Sequence, residues 1–169
     1  MAGNDDPARQ LFAPLSQVLW RQRELIDLLA YRLECQQFIL VANRTERLAF
    51  AVGEVEAVLA EIRKVEERRL ALVSEAAAAL GLDADATLSA IRAAAPAPWD
   101  HVLGDHQTEL LRLVSRTEEL ATRNREISHR GLADTQSVLA AGQPNVEAYG
   151  RHGTRNGLAL PPTLVDRAF

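Results

Sequence analysis

The chain is short of the residues that staple a fold or stop a helix. Its 169 residues include one cysteine, Cys35, so no internal disulfide can form and a disulfide-built scaffold is excluded. Cys35 lies inside an apolar helical run, which assigns it a packing role in a reducing compartment. Aromatic residues are only 5% of the chain; Ala, Leu, Glu and Arg dominate, a composition that favours helix over sheet. No apolar run approaches the ~20 residues a membrane helix needs, and the longest, Phe38 to Ala42, ends after about one turn. Stable membrane insertion is therefore not expected. The Met1–Pro7 stretch has no apolar core either, so no signal peptide is expected and the cytoplasm is the expected location.

A basic excess is also missing. The formal charge is -4, with 25% charged residues whose signs alternate, and this argues against a partner bound through its phosphates, so no nucleic acid is expected. There is no glycine-rich phosphate loop after a strand, no Gly-x-Ser-x-Gly turn and no Cys-x-x-Cys pair. Catalysis is not expected, nor is any cofactor.

What is present is helical periodicity. Leu15, Val18, Leu25 and Leu29 recur at three- and four-residue steps, as do Leu48, Val52, Val55, Leu59 and Ile62, and later Leu103, Leu110, Leu113, Leu120 and Ile127. The expected fold is all-α: an elongated antiparallel bundle of three long helices, a short connector helix and a flexible C-terminal tail. Pro14 suits a first helical turn and sets the expected start of the first helix, which runs to about Ala42. Asn-Arg-Thr-Glu at Asn43–Glu46 matches a capping box, predicting a tight turn and a second helix from Arg44 to Leu80, with Gly81 as its left-handed stop. Gly53 within it is read either as a close helix contact or as a tolerated surface position. The charge cluster Glu66, Glu67, Arg68, Arg69 reads as a solvated face.

Thr87 or Asp85 caps the connector helix, which Pro96 and Pro98 prevent from continuing. The last long helix starts near Pro98 or Trp99 and stops at Gly142, with Gly131 as a place to bend. Trp20, Tyr31 and Trp99 read as core or helix-end packing, Trp99 over a bundle end. This divides the chain into a bundle domain, residues 1–141, and a partner-binding tail, residues 142–169. The tail holds Gly150, Gly153 and Gly157 and three prolines, with apolar residues that keep no period. Tyr149 has no packing reason to be there and suits an interface anchor.

Two clusters could carry metal chemistry. Asp100, His101, Asp105, His106 and Glu109 gather at the start of the last helix, but acids there already answer to the helix dipole, and His106 falls on the apolar stripe. Glu126 and His129 have the Glu-x-x-His spacing of di-iron bundles without a second copy. No metal is expected.

Leu19–Ile26 (Leu-Trp-Arg-Gln-Arg-Glu-Leu-Ile), Glu54-Val-Glu56, Leu80-Gly-Leu82, the Ala95–Trp99 connector, Asn124–Ile127 (Asn-Arg-Glu-Ile) and Tyr149-Gly-x-x-Gly153 follow in an order and spacing that resembles the FlgN family of flagellar export chaperones, in particular its actinobacterial-type branch. The resemblance covers most of the length. It implies a non-enzymatic cytoplasmic chaperone that binds hook-filament junction (hook-associated) subunits, prevents their premature assembly and delivers them to the flagellar export gate and its associated ATPase complex. It places partner binding on the distal part of the last helix, at Asn124 and Ile127, and through the segment to Tyr149. An apolar strip at Val138 and Leu139, with Val146, Tyr149, Gly150 and Gly153 of the tail, could then receive an amphipathic partner helix. The reading from another class is a structural coiled-coil homodimer without export cargo, and the stripes leave self-association open.

Overall fold

The computed structural model describes residues 7–142, with side chains described through Ser137 and at Leu139. Four helices follow one another: α1 (Pro7–Val41), α2 (Thr45–Leu80), α3 (Leu88–Ala94) and α4 (Trp99–Gly142). No strand occurs among the described residues. The tail expected beyond Gly142 lies outside them.

Helix α1 begins at Pro7, not at Pro14, which sits inside it. Pro7 takes the first helical position, where a missing N–H costs nothing. An interior proline costs ~3 kcal/mol, and burial offsets it: Phe12 and Leu15 flank Pro14 at 1% and 0% exposure, each contributing ~1.5–3 kcal/mol. Phe12 also meets Trp99 at 5.8 Å between ring centroids, so Trp99 does close that end of the bundle.

The turn falls at Asn43 as expected, by a different device. Asn43 has φ 52°, its N–H bonds Leu40 O at 3.1 Å, and Arg44 N–H bonds Ile39 O at 3.0 Å. This is a Schellman ending of α1 rather than a capping box opening α2, with asparagine tolerating the left-handed position. The N-cap of α2 is Arg44, without a side-chain cap. Gly81 ends α2 in the same way at φ 69°, bonding Ala78 O while Leu82 bonds Ala77 O. Thr87 caps α3 by accepting from Ala90 N–H at 3.2 Å.

Cross-links set the topology. Gln22 reaches Glu66 and Arg32 reaches Glu54, so α2 runs antiparallel to α1. Phe12 meets Trp99, Ser16 meets His106 and Leu33 meets Asn124, so α4 runs parallel to α1. Both α2 and α4 pack along α1, while their own Cα atoms stay more than 8 Å apart. Helix α1 is thus the spine, and its buried face is correspondingly broad: Phe12, Leu15, Val18, Leu19, Leu25, Ile26, Leu29, Ala30 and Leu33.

One open reading is decided, for Gly53 as a surface position, and two expectations change. Gly53 is exposed, and a Cβ there meets nothing within 4 Å; the close approach is at Gly104, where a Cβ would meet Arg92 Nε at 3.0 Å. Gly53→Ala is therefore expected to raise stability by about 0.5–1 kcal/mol in urea unfolding, through backbone entropy alone. Half of the 66–69 charge cluster turns inward: Glu67 and Arg68 are exposed, but Arg69 is 2% exposed. Trp20 and Tyr31 are not core, being 53% and 55% exposed.

Candidate functional site

The two ends of the α1–α4 seam differ. Near the Trp99 end it is sealed around His106, which is buried between Ser16 Oγ, 3.0 Å from Nε2, and Arg23 Nη1, 3.4 Å from Nδ1. A guanidinium can only donate, so Nδ1 accepts and Nε2–H donates to Ser16. Trp20 stands edge-on to the imidazole at 5.3 Å and carries the Arg23 guanidinium 4.2 Å from its ring centroid. Burial first, then the Arg23 charge, lowers the His106 pKa to about 4, against a small opposing pull from Asp105. His101 points the other way, mostly exposed beside Asp100 at 3.7 Å. The cluster at the start of α4 is therefore not assembled, and Glu126 pairs with Arg130 at 3.5 Å on the surface. No group of three His, Cys, Asp or Glu side chains converges among the described residues.

The distal end is open. Leu103, His106, Leu110, Leu113, Thr117, Leu120 and Asn124 are buried at alternating three- and four-residue steps along α4. Continuing those steps reaches Ile127, which is half-buried, and Gly131, which is exposed. Asn124 is the last closed layer. It is 5% exposed, and its Nδ2 donates to Leu33 O at 2.9 Å and to Gln36 Oε1 at 3.0 Å. Its amide thus pins α4 to α1 from inside the seam.

Beyond that pin lies an apolar cavity of about 280 Å³, lined by Ile39, Leu40, Asn43, Thr45, Leu48, Ile127, Ser128, Gly131, Leu132 and Thr135. It exists because α1 and α2 turn at Asn43 while α4 continues, and because α4 offers glycine where the next large side chain of the ladder would stand. Pockets for drug-sized ligands span ~300–1,000 Å³; this one suits one or two large apolar side chains entering from outside. Residues Gly131–Ser137 of α4 are exposed, and Leu132 (61%) and Leu139 (59%), seven residues apart, share a face above the cavity, with Val41 (69%) at the hairpin tip.

Of the residues singled out in the sequence, Ile127 lines this cavity, Leu139 stands exposed on α4, and Asn124 lies beneath it. The Val138 side chain, Val146, Tyr149, Gly150 and Gly153 lie outside the described residues. Leu40, Leu48, Gly131 and Leu132 were not anticipated. The signal for Leu132 was available in its seven-residue spacing to Leu139, whereas Leu40 and Leu48 needed the register of α4 against the hairpin tip.

The fold is an all-α helical bundle whose long last helix runs past the α1–α2 hairpin over an apolar hole. A sequence model of the FlgN family, described as FlgN protein, matches residues 11–157. The chain belongs to that family, whose general role is flagellar export chaperoning. No curated protein and no solved structure gives a significant match. No helix among the described residues is long and apolar enough to cross a membrane.

Proposed function

We propose that this chain is a cytoplasmic chaperone of flagellar type III export that binds hook-filament junction (hook-associated) subunits, prevents their premature assembly and passes them to the export gate and its associated ATPase complex. The observation that carries the reading is the open end of the α1–α4 seam in a chain of this family. An amphipathic helix of the cargo lays its apolar side chains into the hole beside Ile127 and Gly131 and along Leu132 and Leu139. Val138 of α4 and Val146, Tyr149, Gly150 and Gly153 of the following segment close over it. The occupied hole extends the layer ladder of α1 and α4 by one further layer, so a cargo helix replaces water with apolar contact. Ordering a segment on the cargo consumes ~2–5 kcal/mol of the gross interaction energy, which keeps affinity moderate and lets cargo leave at the gate.

The test is capture of junction subunits from cells by the tagged chain. Gly131→Phe fills the hole from inside, and a Cβ at 131 meets nothing within 4 Å, so the helical circular dichroism should be unchanged while capture falls about tenfold or more, a loss of ~1.4 kcal/mol. Capture equal to that of the unmodified chain sinks the groove assignment. Tyr149→Ala, in the same assay, should weaken capture without lowering the melting temperature.

A further inference from the structure

A second apolar surface lies away from the cavity. On α1, Leu28, Tyr31 and Phe38 are 38%, 55% and 72% exposed, and half-buried Cys35 falls among them at three- and four-residue steps. Helix α2 adds Phe50, 69% exposed. The Arg32–Glu54 pair, 2.8 Å apart, bridges the two helices on this side, and their antiparallel register sets Phe50 level with Phe38. Exposure thus rises towards the hairpin tip, where Val41 stands at 69%. Aromatic side chains present ~150–250 Å² each, so the three of them with Leu28 leave roughly 500 Å² of apolar surface open, at the upper end for a monomer.

We infer that this face is the docking site of the chain's own segment Leu158–Leu164, Leu-Ala-Leu-Pro-Pro-Thr-Leu, laid across it as an extended strap. The chemistry of the two sides matches. Consecutive prolines such as Pro161 and Pro162 hold the backbone extended, and proline-rich segments dock on aromatic-lined surfaces because little conformational entropy is left to lose. Spacing matches as well. Tyr31 and Phe38 stand about seven residues, or ~10.5 Å, apart along α1, while in a polyproline II segment Leu158, Pro161 and Leu164 share one side at ~9.3 Å intervals. A strap arriving from the hairpin tip sets Leu158 at Phe38 and Phe50, and Pro161 at Tyr31.

The segment also has the reach. Helix α4 runs parallel to α1 at offsets of 90 and 91 residues, so Phe38 is level with Ser128, and Gly142 lies about 14 residues, or ~21 Å, beyond it. Returning that far and crossing one helix diameter of ~10–12 Å takes about ten extended residues at ~3.3 Å each. Leu158 stands sixteen residues past Gly142. The chain therefore leaves α4 at the end where the face is barest, and tethering holds the segment at an effective concentration of about millimolar, so a weak contact suffices. Tyr149 and its neighbours, nearer to α4, stay beside the cavity.

Cys35 sits inside the face and reports on it. In the full-length chain, Leu158→Asp should raise the rate at which Cys35 reacts with a maleimide about tenfold, the rise expected when a contact closed about ten to one is opened, with unchanged helical circular dichroism. Phe38→Asp, from the other side of the contact, should do the same, whereas Leu132→Asp at the cavity should leave the rate as it is. In Ala159→Cys, a short bis-maleimide should join the new thiol to Cys35 within one chain at any dilution. Unchanged Cys35 reactivity in Leu158→Asp overturns the inference, as does a rise seen in Leu132→Asp alone, which seats the segment in the cavity instead. Cross-links in Ala159→Cys that join separate chains and fade on dilution also overturn it.

Discussion

Arg69→Ala is expected to cost the bundle about 3–5 kcal/mol, the usual penalty for breaking a buried ion pair from one side. Arg69 occupies a core position of α2, on the seven-residue series Leu48, Val55, Ile62, Arg69, Ala76, and only 2% of it is exposed. Its Nε donates to Glu66 Oε2 at 2.9 Å and its Nη2 to Glu66 Oε1 at 2.6 Å. Gln22 of α1, 1% exposed, donates to the same Oε2 at 2.9 Å, while its own Oε1 is buried without a protein partner. Alanine at 69 leaves the Glu66 carboxylate, 12% exposed, held by one amide in a largely dry seam. Urea unfolding should show a lower midpoint with an unchanged slope. Replacing Gln22, Glu66 and Arg69 together by leucine should recover most of the loss, because no buried charge is then left unpaired. A loss below about 1 kcal/mol for Arg69→Ala would mean that water reaches Glu66 in solution and that the pair behaves as a surface one.

The same residues show what the sequence could and could not say. The stripes were legible because helical burial repeats locally, and Gly81 was legible because a left-handed position asks for glycine. Asn43 was legible as a turn but not as a mechanism: Asn ends one helix or begins the next with the same short amide, and only φ separates the two. Pro14 misled because the rule for proline is local, whereas the burial of Phe12 against Trp99 is not. Arg69, Gln22 and Asn124 interrupt apolar stripes, and their partners lie 44 residues away for Gln22 and 91 for Asn124, beyond any periodicity argument. The cavity was half legible. Helix lengths announce that α4 outlasts the hairpin, but where the overhang falls depends on α4 running parallel to α1, which the pairings of Trp99, His106 and Asn124 with α1 reveal.

Acid should weaken the bundle through His106. Its pKa in the fold is lowered from 6.5 to about 4, chiefly by burial and next by Arg23, so on acidification the unfolded chain takes up the proton first. The stabilisation from keeping His106 neutral is fully present above pH 6.5, declines as pH falls below that, and is exhausted below about 4. At ~1.4 kcal/mol per pKa unit, the full loss is on the order of 3–4 kcal/mol, of which roughly 3 is reached at pH 4. The direction has a structural cause: protonation places a second N–H against the Arg23 guanidinium, and the Asp105 carboxylate pulls the other way without reversing it. His106→Gln keeps a donor and an acceptor near Ser16 and Arg23 without a titrating group. Exposed carboxylates also titrate in this window, but equally in both proteins, so the difference isolates the imidazole. Unfolding free energies at pH 7.5 and pH 4 should fall by about 3 kcal/mol more for the unmodified chain than for the glutamine variant. Equal falls would mean that water reaches the imidazole and that the fold does not lower its pKa.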